Sequence, residues 1–236
     1  MFSVSFETFS DELNKRAYLT DIKRLSVALR NIEGYIGHTC FRALNSTNGT
    51  LVLSTWGDEK SLVRWRTHPL HFTAQSTGRQ RWFDDYRVRV GQITRDTQPP
   101  QGYKIQEQRL DETEVGRGTT FTQIHASLPP HLTVRNATAA IAGWMGLDIN
   151  APGLVEWKLF ESVDEPGRLL FIILWGDEAD AKKFEYETVL PEGARVQRVR
   201  IIRDYGKFDR RESPQYFPDA MLSDPSSIEW DLPKRQ

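Results

Sequence analysis

The chain has 236 residues and 31 Lys plus Arg against 32 Asp plus Glu, a formal charge of −1, so no polyanion-binding surface is implied and nucleic acid is not an expected partner. Cys40 is the sole cysteine, which excludes an intrachain disulfide and points to a reducing compartment. There is no charged and apolar leader and no apolar run approaching about 18 residues, so the expectation is a soluble, cytoplasmic protein with no membrane partner, long enough for two modules of about 100 residues.

The first stretch, FSVSFETF at 2–9, sets Phe2, Val4 and Phe6 on one side, the pattern of a half-buried strand. Ser10 or Asp11 can cap the helix that follows. In it, Leu13, Ala17, Tyr18, Ile22, Leu25, Leu29 and Ile32 recur at three- and four-residue steps, a stripe that must lie on something flat and apolar. Gly34 ends this helix. Strands are predicted over 35–44 and 50–56, joined at NSTNG, where Asn48-Gly49 supplies positive φ angles for a tight turn. Asp58 or Ser61 starts a second helix. Pro69 removes an amide donor, so the helix breaks with Thr67 or His68 near a cap and restarts with Pro69 in its first turn. That segment ends about Gly78, and a strand follows over 86–94.

Residues 97–118, with Pro99, Pro100, Gly102, Gly116 and Gly118 among charged groups, read as a linker. The order then recurs: strand 120–128, helix about 131–146, strands 154–163 and 168–175 around DEPG, a short helix 177–187 and a strand 194–203. Placing Trp56 on Trp175 superposes TWGDE on LWGDE. Without a gap it also sets Phe2 on Phe121, Ile22 on Ile141, Gly34 on Gly153, Phe41 on Phe160 and Trp65 on Phe184. The register breaks between Phe184 and Arg195, where the second copy lacks a counterpart of HPLHFTAQSTGR. The expected fold is therefore α+β, with two ferredoxin-like β-α-β-β-α-β repeats over 1–96 and 119–205 covering each other's open sheet faces, and one site per chain. Residues 206–236 are polar and proline-bearing but keep Tyr216, Phe217, Met221 and Trp230, which predicts an extended arm over the folded body.

The strand ending in TWGDE, the Arg64-Trp65 pair, HPLHFTAQSTGR, FDDYRVRV and the later RDYGKFDRRESPQYFP together resemble the antibiotic biosynthesis monooxygenase family of dimeric α+β barrel proteins. The resemblance covers 1–96 well and in the second copy is confined to the scaffold and the closing RDYG. It implies a dimeric-α+β-barrel-like pseudo-dimer within one polypeptide. Its activities include cofactor-free oxygenation of aromatic polyketides and quinol oxidation. Heme-degrading relatives of this fold carry an asparagine on the first strand and a heme-ligating histidine ten residues after a tryptophan. Here FSVSFETF has no asparagine and the position ten after Trp65 is Gln75, which counts against that route.

On a helix from Pro69 to Arg79, the residues His71, Gln75 and Arg79 share one face at i, i+4 and i+8. The resemblance makes them the expected catalytic set. His71 is the proton shuttle near neutral pH, Gln75 orients a phenol or quinone oxygen, and Arg79 stabilises an enolate or phenolate. The alternative is a solvated helix face with Arg79 paired to Asp84 or Asp85. Trp65, His68, Trp82 and Tyr86 are the expected substrate-binding residues around a planar aromatic ligand, whereas Trp56 reads as structural. No HExxH, cysteine cluster or glycine-rich nucleotide motif is present, so neither metal nor cofactor is expected. The leading expectation is a cofactor-independent monooxygenase taking O2 and a small aromatic, phenolic or quinol substrate. A non-catalytic ligand-binding or stress-response barrel, a heme protein of unusual ligation, and a homodimer of fused pairs stay open.

Overall fold

The computed structural model describes residues 1–46, 48–109, 116–130, 132 and 138–209. Its elements run β1 (Phe2–Phe9), α1 (Glu12–Arg30), β2 (Tyr35–Ala43), β3 (Gly49–Trp56), α2 (Glu59–Thr67), α3 (Pro69–Thr77), a π-helical turn (Gly78–Trp82) and β4 (Asp85–Asp96). There follow β5 (Thr120–Ser127), α4 (Thr138–Trp144), β6 (Leu154–Ser162), β7 (Arg168–Trp175), α5 (Glu178–Glu187) and β8 (Arg195–Gly206). The helix expected over 131–146 is seen from Thr138, the residues 131 and 133–137 lying outside the description. The arm expected over 206–236 lies outside it from 210 on. No described helix is long and apolar enough to cross a membrane.

The eight strands close into one antiparallel barrel in the order β1-β3-β2-β6-β7-β5-β8-β4. Each chain half supplies four neighbouring strands, and the halves meet where β2 pairs with β6 and β4 with β8. Alternation along the strands sends one set of side chains inward and the other toward the helices. Phe41, Leu51 and Ile93 from the first half meet Phe121, Phe160 and Leu170 from the second in one buried cluster, against which Tyr103 and Ile105 of the expected linker also pack. A chain of charges crosses between the halves. Lys158 lies 2.6 Å from Glu7 and 3.1 Å from Glu156, Arg89 joins Glu156 to Asp204, and Arg87 pairs with Asp204.

The recurring WGDE stretch has a local physical explanation. Trp56 and Trp175 end β3 and β7 buried beneath the helices. The next residues, Gly57 and Gly176, donate their N–H to the carbonyls of Gly34 and Gly153 at 2.7 and 2.8 Å. Asp58 and Asp177 then cap α2 and α5, accepting from the backbone of Ser61 and Asp180. Gly34 and Gly153 both sit at positive φ, and a Cβ there would come within 2.0 Å of the capping turn, so only glycine fits.

Two local expectations need correction. The turn before β3 has positive φ at Asn48 alone, Gly49 having already entered the strand. Leu13, the first member of the α1 stripe, is 78% exposed, whereas Tyr18 and Leu29 are buried. The α3 segment ends at Thr77 with Gly78 as its C-cap, as expected, but the chain does not leave the helical region there. The backbone continues through it as the π-helical turn, closed by Phe83 N–H to the Gly78 carbonyl at 3.0 Å. The glycine is there for space, since a Cβ would lie 2.6 Å from the Phe83 ring.

Candidate active site

Between α1, α2 and α3 and the outer face of β1, β3 and β4 the helical layer leaves a cavity of about 350 Å³, the size range of small-molecule sites. Its walls are mainly apolar, with Phe6, Ile22, Leu25, Val52 and Leu62 among them. The break at Pro69 makes this possible. His68 has extended backbone as the N-cap, Pro69 takes the first helical position, and α3 turns away from α2 to roof the hollow.

Six of the seven sequence-predicted residues line this cavity: Trp65, His71, Gln75, Arg79, Trp82 and Tyr86. His68 does not line it. It stands at the α2–α3 junction with its ring 5.7 Å from that of Trp65 and Nδ1 buried without a hydrogen-bond partner. The His71 ring stacks on Trp65 at 4.3 Å and 14°. Its Nδ1 lies 3.0 Å from the Trp65 carbonyl. A carbonyl only accepts, so in the tautomer that satisfies this contact Nδ1 carries the hydrogen and Nε2 is the lone-pair atom. Gln75 Nε2 is also 3.0 Å from this Nδ1, but donates to the Arg66 carbonyl, which leaves its amide oxygen as an acceptor.

Burial pushes the His71 imidazole down to about 4, with the Trp65 carbonyl partly opposing and His68 adding to the fall. The expectation of a proton shuttle near neutral pH is thereby corrected: His71 is a neutral, weak base. Arg79 donates to the Tyr86 hydroxyl at 3.3 Å and to the Lys207 carbonyl. Lys207 donates to the Phe83 carbonyl at 2.5 Å, and burial beside Arg79 pushes its ammonium down to about 8. Tyr18, Phe83 and Phe6 close this end edge to face, with Tyr18 and Phe83 centroids 4.8 Å apart.

Four contributors escaped the sequence reading. Trp56, taken as structural, is buried and also touches the cavity. Arg203 and Tyr205 reach it from β8, so the second half completes the site of the first. Their signal lay in the closing RDYG. His38 reaches it from β2, opposite Ser54 in the ladder, and strand alternation puts it on the helix-facing side.

The chain is 35% identical over 225 residues to a protein of Pyricularia oryzae named jasmonate monooxygenase ABM, covering 93% of this chain and all of that one. The chain belongs to the antibiotic biosynthesis monooxygenase family. It is accordingly an oxidoreductase of monooxygenase type. A stretch of 94 residues is 26% identical to the uncharacterised protein YqjZ of Bacillus subtilis, covering 40% of this chain and 80% of that protein. No family profile matches the chain. The barrel resembles that of an aldoxime dehydratase crystallised with butyraldoxime, with a TM-score of 0.56, 11% identity, and 85% and 79% of the two chains covered; at that identity the likeness is one of fold. For this monooxygenase-family barrel the cavity beside His71 is the candidate active site.

Proposed function

We propose that the chain is a cofactor-independent monooxygenase that oxidises a small aromatic, phenolic or quinol molecule in the cavity beneath α3. The carrying observation is the His71 ring on the wall of an apolar cavity, with Nδ1 3.0 Å from the Trp65 carbonyl, the contact that assigns the lone pair to Nε2. A base this weak takes a proton only from an acidic, conjugated C–H or O–H, and that requirement selects electron-rich rings whose anions are delocalised. The proton goes to His71 and the electron pair stays on the substrate, where Arg79 holds the developing oxyanion and the Gln75 amide oxygen accepts from a phenolic O–H. The anion reduces O2 directly. One oxygen atom remains in the product as C=O in place of CH2, the other leaves as water, and the substrate supplies all four electrons.

The barrel is read as a fused pair of ferredoxin-like repeats acting as a pseudo-dimer, supported by the recurring element order and the paired WGDE turns. A second substrate class is favoured by the name of the fungal relative, which makes jasmonate a compound to test beside the aromatic panel. The test is oxygen uptake by the purified full chain with anthrones, phenols, quinols and jasmonate. Uptake that falls at least about 100-fold in His71→Ala, the scale of general-base loss, supports the reading; no uptake with any compound rejects it.

A further inference from the structure

Two histidines line the cavity, and their surroundings fix the ring protons in opposite ways. His71 donates from Nδ1 to the Trp65 carbonyl and keeps a lone pair on Nε2. His38 has its Nδ1 2.5 Å from the Tyr35 hydroxyl. That phenol oxygen interacts with the backbone of His38, and burial keeps the phenol protonated. Its O–H therefore points at Nδ1, and the His38 hydrogen resides on Nε2. Tyr35 is itself fixed edge to face against the buried Trp56, 5.4 Å between centroids. Among the described residues neither Nε2 has a hydrogen-bond partner.

We propose that His38 is a neutral electrophile of this site, hydrogen-bonding through Nε2–H to the oxyanion that forms on the substrate as His71 Nε2 takes its proton, with Tyr35 as the positioning residue. This rests on the monooxygenase reading above. Both rings line the one cavity, whose size suits a single small molecule. Neutrality matters chemically. An imidazolium would hand its proton to the anion and quench the species that must reduce O2, whereas an imidazole N–H stabilises the charge and leaves it reactive. The groups around His38 keep it in that form: burial and the Arg30 guanidinium outweigh the Asp164 carboxylate, and the nearby Cys40 thiol is pushed up to about 11 and stays uncharged. His38 gives up no proton and forms no covalent bond.

The experiment has two arms. Long-range proton–nitrogen correlation of the histidine rings in the nitrogen-15-labelled full chain at pH 7.5 is expected to show His38 as the Nε2–H tautomer and His71 as the Nδ1–H tautomer. Tyr35→Phe should leave His38 a mixture of tautomers. Oxygen uptake, with whichever panel compound the wild type oxidises, is expected to fall about 100-fold in kcat for His38→Leu, the loss typical of one oxyanion donor, with KM within about threefold. His38→Gln restores an N–H and should recover at least about tenfold of that loss. An Nδ1–H tautomer at His38 in the wild type overturns the proposal without reference to any variant. So does unchanged kcat in His38→Leu, while the oxygenase reading survives. A wild type that consumes no oxygen with any compound overturns both, and the spectrum then shows whether the geometry alone was right.

Discussion

Acidification tests the burial of His71 directly. Its imidazole is pushed from 6.5 down to about 4 in the folded protein. The unfolded chain therefore binds a proton between pH 6.5 and 4 that the folded chain refuses. The contribution to stability is fully present above pH 6.5 and is lost as the pH falls toward 4. At about 1.4 kcal/mol per pKa unit, the loss is about 2 kcal/mol at pH 5 and about 3 kcal/mol at pH 4. His125, with Nε2 buried and unpartnered, is also pushed down to about 4 by burial and by Arg195 and Arg168. It is expected to add a similar loss. The assay is urea unfolding at pH 7 and pH 5, followed by tryptophan fluorescence, for the wild type, His71→Gln and His125→Gln. Each variant should remove about 2 kcal/mol of the difference between the two pH values. Comparing proteins cancels the carboxylates Asp96 and Glu156, which are held low and also lose stabilising charge in acid. An equal pH 7-to-5 difference in the wild type and His71→Gln would refute the claim that this ring is buried neutral.

Lys158→Met strands the Glu7 carboxylate, one oxygen of which already lacks a partner. The expected loss is about 3 kcal/mol, recovered largely by adding Glu7→Gln, as read from urea midpoints. Gly91→Ala brings a Cβ within 2.4 Å of Val199 and 2.7 Å of the Arg200 carbonyl. It should destabilise by about 1–3 kcal/mol, whereas Gly37→Ala, with nothing within 4 Å, should stay within about 0.5 kcal/mol. Arg79→Met is expected to cut oxygen uptake about 100-fold. Tyr86→Phe leaves the Arg79 bond to the Lys207 carbonyl in place and should cut uptake less than tenfold; the reverse ranking in a steady-state assay would contradict the role given to Arg79.

What was legible in the sequence follows from which forces are local. Strand alternation, the Asp58 cap and the Pro69 break act within a few residues, and each shows in the chain as written. The i, i+4, i+8 face of α3 likewise brought His71, Gln75 and Arg79 to one wall. Tertiary effects were not legible. The low pKa of His71 comes from desolvation by the layer around it, and the true partners of Arg79 come from the chain's far end, Lys207. His68 shares the composition of the site but not its direction, because the N-cap geometry demanded by Pro69 turns it out of the wall. Gly78 does cap α3, but its second role, admitting the Phe83 ring where a Cβ would lie 2.6 Å away, was not legible.

The described residues of the two halves differ in the helical layer, and that difference goes with the cavity seen in the first half. In the second half Ile141, Ala142 and Met145 are fully buried and the Phe184 ring lies 5.2 Å from Trp175, so these described residues pack directly on the sheet. In the first half the residue matched to Phe184 is Trp65, and α3 offers it a partner outside the core, the His71 ring. With Trp65 stacked there, the space next to Trp56 remains open as the cavity. An apolar hollow forgoes packing on the order of several kcal/mol, and in a symmetric pair that loss would be incurred twice. The second half lends Arg203 and Tyr205 across the β4–β8 seam, so that a well-packed scaffold and the cavity share one barrel.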